Sequence, residues 1–146
     1  MRIETVTSVQ NPKIKDLLSL QEKSRTRRQK GLFVVEGRRE LIHCLEAGFV
    51  PSCLFICGEI LSPEDMNAVV ALAEKANPQV GVIQVNSYIY GKIAYREGTE
   101  GVMAEIFTPE RSLGDLVLSD NPLVAVLEGV EKPGNLGAVL RSADAA

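Results

Sequence analysis

The sequence predicts an α/β domain with helices on both faces of a sheet, followed by the start of a second unit. Three observations carry this expectation. Short apolar runs of strand type alternate with amphipathic helical stretches up to residue 107. A polar, turn-rich stretch, TPERSLGDLVLSDN at 108–121, then interrupts the alternation. A fresh buried-strand pattern, NPLVAVLEGV, begins at 121. The divisions therefore fall at 1–107, 108–121 and 122–146.

Taken in order, Asn11 and Pro12 open KIKDLLSLQEKSRTRRQKG. An Asn cap, a Pro at the first helical position and Ile14, Leu17 and Leu18 at helical spacing predict one helix that stops at Gly31. LFVVEG (32–37) reads as a short strand. RRELIHCLEAG (38–48) reads as a helix, with Leu41, Ile42 and Leu45 on one face. SCLFICG (52–58) is a second strand, and SPEDMNAVVALAEKA (62–76) a helix with a Ser-Pro-Glu-Asp start. VGVIQV (80–85) is a third strand, NSYIYGKIAY (86–95) a short helix, and GVMAEIF (101–107) a fourth strand. The 108–121 stretch reads as a linker carrying a short helix. After the 121–130 strand, Glu131–Gly137 reads as a loop, and AVLRSADAA as a helix within which the chain stops. One strand and part of one helix cannot bury both faces of that strand. The pattern reads as the beginning of a longer second domain.

The 146 residues include 45% hydrophobic and 24% charged side chains, the balance of a globular protein rather than a disordered, collagenous or coiled-coil one. No apolar run approaches the ~20 residues of a membrane span. The first fifteen residues hold no signal-type apolar core, and three cysteines cannot pair completely, so the reading is cytoplasmic, with no membrane partner. Charge is uneven. Residues 1–40 hold ten Lys/Arg against five Asp/Glu, and the remainder six against fourteen. Lys23, Arg25, Arg27, Arg28 and Lys30, then Arg38 and Arg39, form a cluster suited to a polyanion. The same cluster also fits a solvated helix end. No aromatics interleave it, so it would grip phosphates rather than stack bases.

Glu131–Gly137 joins a strand to a helix, where backbone N–H groups bind anions. It is neither G-x-G-x-x-G nor a P-loop, and it also reads as a connection whose glycines serve geometry alone. Arg141 lies one helical turn past Gly137. With Asn135 it would present a fork of donors at the strand's C-terminal edge, or else be an ordinary exposed arginine. His43, Cys44, Cys53 and Cys57 match no zinc spacing, so no metal is expected. Cys53 and Cys57 share one strand face, and His43 reads as a core or boundary residue.

Four stretches together resemble a known family: SVQNPKIKDLLSL, RRQKGLFVVEGRRELIHCLEAG, TEGVMAEI and LVAVLEGVEKPGNLGAVLRSADAA. They are similar to the SpoU/TrmH-type RNA 2′-O-ribose methyltransferases of the SPOUT class. The last stretch resembles the family's first catalytic motif, with Glu131-Lys132-Pro133 where an Asp-Pro pair is common. The resemblance implies a three-layer α/β/α RNA-binding domain of the small ribosomal-protein type. A knotted methyltransferase domain follows it, incomplete in this chain. It implies methyl transfer from S-adenosylmethionine to a ribose 2′-hydroxyl of rRNA or tRNA, with the cofactor held by downstream motifs. It implies a homodimer for the full-length protein and catalytic roles for Arg141 and Asn135. A guanidinium with a pKa above ~12 is a poor general base, so Arg141 would position the ribose rather than deprotonate it. The chain by itself would then be inactive. Two other readings compete: a free-standing, non-catalytic RNA-binding module of the same fold, and a small nucleotide-binding α/β protein using the 131–137 loop.

Overall fold

A computed structural model describes residues 2–95 and 100–145. They fall into two compact units, Met1–Glu110 and Arg111–Ala146. The first unit is built on a five-stranded mixed sheet. Its strands are β1 (Arg2–Val6), β2 (Leu32–Glu36), β3 (Pro51–Ile56), β4 (Gly81–Val85) and β5 (Val102–Phe107), in the order β1-β4-β3-β5-β2. β1, β4 and β3 run parallel, while β5 is antiparallel to both β3 and β2. Its helices are α1 (Pro12–Glu22), α2 (Ser24–Lys30), α3 (Arg38–Glu46), α4 (Pro63–Ala76) and α5 (Ser87–Ile93).

Strand alternation divides the core into two layers. Leu54, Ile56, Val102, Ala104 and Ile106 pack under α3 and α4, against Leu41, Leu45, Val69 and Ala73. Phe55, Cys57, Ile83, Val85 and Met103 pack under α1 and α5, against Ile14, Leu17, Ile89, Tyr90 and Ile93. Helices on both faces, as the alternation predicts, follow from β3 and β4 being apolar on both sides.

The caps form where the sequence places them. Asn11 Oδ1 accepts from Lys13 N at 2.9 Å, Ser62 Oγ from Asp65 N at 3.1 Å, and Asn86 Oδ1 from Ile89 N at 2.9 Å. The 12–30 helix is a correction: it breaks at Lys23, whose backbone is extended (φ −114°, ψ 110°). The break is held by side chains. Arg27 Nη1 donates to the carbonyls of Leu20 and Gln21 at 2.7 and 3.0 Å, covering acceptors that α1 leaves open. α2 then ends at Gly31 in the left-handed conformation (φ 61°), the predicted stop. β1 was not expected. As an edge strand it buries Val6 but leaves Ile3 56% exposed, so its apolar signal is faint.

The second unit holds a 3-10 turn at Leu113–Asp115 and α6 (Pro133–Ala145). The strand expected over 121–130 is absent among the described residues, and every residue there is exposed. A strand needs a neighbour for its N–H and C=O groups, and no strand pairs with this segment. The expected loop is shortened as well, because α6 begins at Pro133 and takes Asn135 and Gly137 into its first turns.

Candidate functional site

The seven basic residues singled out in the sequence separate into two groups at opposite ends of β2. Lys23, Arg25, Arg27, Arg28 and Lys30 precede the strand on or beside α2, and Arg38 and Arg39 follow it on α3. A five-residue strand holds them roughly 20 Å apart, so they form two patches rather than one.

Their engagement differs. Arg27 ties α2 to α1 through its two carbonyl bonds. Lys30 Nζ pairs with Asp16 at 2.9 Å. Arg38 Nη1 pairs with Asp65 at 3.0 Å and Arg39 Nη2 with Glu40 at 3.1 Å. The backbone N–H groups of both Arg38 and Arg39 donate to the Glu100 carboxylate, so a protein acid already occupies the start of α3. Lys23, Arg25 and Arg28 are exposed and have no side-chain partner among the described residues. Arg25 and Arg28 lie three apart, on one face of α2. This trio leaves three cationic side chains of the first unit without a protein partner among the described residues.

Two cavities lie along α2 and β2, and Arg28 of the trio lines the first of them. One of about 540 Å³ is lined by Ser24, Arg27, Arg28, Phe33 and Thr108–Glu110. Another of about 710 Å³ follows β2 past Arg27, Glu36, Glu40 and Tyr95, and its carboxylates make it a poor anion site.

Asn135 and Arg141 both lie exposed on α6. Six positions along a helix separate them by about 9 Å of rise and 120° of rotation, and no hydrogen bond joins them among the described residues. The guanidinium instead lies back over Gly137, with Nη1 3.6 Å from where a Cβ would stand. None of residues 111–145 is buried. The described residues of this second unit therefore supply no walled cradle for a nucleoside-sized cofactor, and S-adenosylmethionine does not fit this unit as it stands.

His43 is a correction. It is exposed and stands 3.7 Å from Glu46, because it is two positions from Leu41 and so on the opposite side of α3. Cys53 and Cys57 do share a face. Glu105 was not singled out in the sequence. It stands on the α1-facing side of β5 between Met103 and Phe107, where the layer otherwise calls for an apolar residue. Burial pushes its carboxyl up to about 7, against a smaller downward pull from Lys30.

The model of the MRM3-like substrate binding domain matches residues 11–104. That span covers most of the chain. This chain belongs to the MRM3-like substrate-binding domain family. It is 37% identical over 89 residues to the 23S rRNA (guanosine-2'-O-)-methyltransferase RlmB of Haemophilus ducreyi, covering 57% of this chain and 36% of that protein. A crystal structure of an RNA 2′-O ribose methyltransferase superposes with a TM-score of 0.73 at 35% identity, over 97% of this chain and 52% of that one. An AdoMet-bound rRNA methyltransferase from Sinorhizobium meliloti gives 0.74 at 25% identity, over 98% and 51%. The SpoU/TrmH resemblance read from the sequence is borne out by these matches. The chain spans between about a third and a half of the length of these three relatives.

Proposed function

We propose that this chain is the RNA-binding part of a cytoplasmic, S-adenosylmethionine-dependent RNA 2′-O-ribose methyltransferase acting on rRNA or tRNA. Residues 1–107 are its substrate-binding domain, of the small ribosomal-protein type, 108–121 a linker, and 122–146 the start of a knotted SpoU-type catalytic domain. That domain dimerises in the full-length protein and holds the cofactor through motifs beyond these residues. The chain alone is inactive, since residues 111–145 enclose no space for the methyl donor.

The observation that carries this reading is the unpaired trio Lys23, Arg25 and Arg28 in a chain of a substrate-binding family. Phosphates bind there first. Lys30, Arg38 and Arg39 contribute after exchanging exposed ion pairs that are individually weak. Arg27 lends its positive charge while its hydrogen bonds stay with α1. Arg141 clamps the phosphate beside the target ribose, and Asn135 hydrogen-bonds the same nucleotide.

Filter binding of the 146-residue chain to total rRNA tests the reading. Wild type should show an affinity that falls steeply with salt, the slope reporting the phosphates engaged. Charge reversal of the trio (K23E, R25E and R28E together) should weaken binding at least ten-fold and flatten that slope, whereas R39E should change it about two-fold. Equal losses from both would discard the assignment.

A further inference from the structure

A third cavity, of about 320 Å³, opens under α1 at the end of the sheet nearest α2. Its volume lies at the lower end of small-molecule sites, roughly 300–1,000 Å³. Phe55 and Ile83 give it apolar walls. Gly81 keeps it open, since a Cβ there would come 3.3 Å from Cys53 Sγ. Glu105, directly across from Cys53 in the strand register, projects into it. Lys13 and Lys30 stand beside it.

The Glu105 carboxylate has no protein donor among the described residues. Lys13 gives its ammonium to Glu4 at 2.7 Å and Lys30 gives its own to Asp16 at 2.9 Å. No side chain or backbone group among the described residues hydrogen-bonds to Glu105. The carboxylate oxygens are therefore open to the cavity, where the N–H groups of a ligand can reach them and take the place of water. The two ammoniums of the lining, Lys13 and Lys30, are balanced by the carboxylates of Asp16 and Glu105, which favours a neutral ligand over a charged one. A flat neutral ring with two adjacent donors satisfies the site, and phosphates on either side of it would meet Lys13 and Lys30. Lys30 is also the last residue of α2, so a strand lying on Lys23, Arg25 and Arg28 leads to this cavity.

We propose that this cavity reads an unstacked guanine of the bound RNA, with Glu105 accepting from its N1–H and N2–H. The inference rests on the RNA-binding reading above. Guanine alone among the four bases presents two parallel donors on that edge. Adenine and cytosine set a ring acceptor beside their amino group, and uracil flanks its single N–H with two carbonyls, so each would place an acceptor against the carboxylate.

Fluorescence anisotropy of the full 146-residue chain with five-nucleotide RNAs tests this. The probes are U5 and the same strand with a central guanosine, inosine or adenosine. Guanosine should bind about ten-fold tighter than adenosine, with inosine, which lacks the N2 amine, between them. E105Q, nearly isosteric, should reduce the guanosine preference below two-fold while leaving U5 affinity unchanged. E105A should do the same, which separates loss of the acceptor from misplacement by glutamine. Equal affinities in wild type, or a preference that survives both variants, would overturn the pocket while salt-dependent U5 binding still upheld the RNA-binding reading. If none of the probes binds, both fall.

Discussion

Two apolar segments of this chain meet opposite fates. GVIQV at 81–85 becomes β4, with Val82 and Ile83 at 3% and 2% exposure. LVAVL at 123–127 is at least as apolar, yet Leu123 is 93% and Val126 87% exposed. The difference is partners. β4 sits between β1 and β3 and under helices on both sides, so its backbone groups are paired and its side chains leave water. Residues 123–127 have no adjacent strand among the described residues. A buried-strand pattern specifies what a segment requires, and the segment becomes a strand only where a sheet meets the requirement.

Core truncation should divide these regions most sharply. Leu54→Ala in β3, fully buried beneath α3 and α4, should cost about 2–5 kcal/mol in urea unfolding. Val126→Ala should cost less than ~0.5 kcal/mol. A comparable cost at Val126 would mean that this segment is packed in solution.

The same contrast explains how much of the molecule was legible in its residues. α4 was plain because Ser62-Pro63 states its start, and β3 because its apolar run is uninterrupted. The break at Lys23 was hidden. It depends on a guanidinium reaching back to carbonyls six and seven residues away, while residues 12–30 continue the helical composition without Gly or an internal Pro. The basic cluster was visible as charge. Its division into two patches, and the pairing of Lys30 and Arg38, depend on β2 and on Asp16 and Asp65 being brought up by the fold, whereas the partner of Arg39 is its sequence neighbour Glu40. Glu105 gave no signal, since a charged residue in an alternating strand normally faces water. Only the placement of α1 over that face turns it inward.

Glu105 therefore contrasts with its apolar neighbours in a way that pH can expose. Its carboxyl sits near 7 in the fold, above the roughly 4.3 of an unfolded chain. Below about pH 4 it is protonated in both states and costs nothing. As pH rises, the unfolded chain releases its proton first while the folded state resists. Stability should therefore fall between about pH 4 and 7 and level off above. E105Q should remove that fall and exceed wild type by roughly 1–3 kcal/mol at pH 8, the residual exposure of the side chain trimming the figure. Parallel pH profiles for the two proteins would show that the carboxylate is solvated.

The smallest effect compares two arginines two residues apart on α2. Arg27→Ala removes both bonds to the Leu20 and Gln21 carbonyls and uncouples α2 from the end of α1. A charged donor on two carbonyls at a partly buried site contributes about 1–2 kcal/mol. Arg25 makes no such contact, so Arg25→Ala should leave stability within ~0.5 kcal/mol of wild type. In RNA binding the ranking should reverse: the loss of Arg25 removes a free phosphate ligand, whereas the loss of Arg27 acts mainly by loosening the helix that presents it. Urea midpoints and salt-dependent affinities measured on the same two variants read the two orders side by side. If Arg27→Ala proved neutral for folding yet the more damaging to RNA affinity, Arg27 would be a phosphate ligand and the separation of structural from binding charge on α2 would not hold.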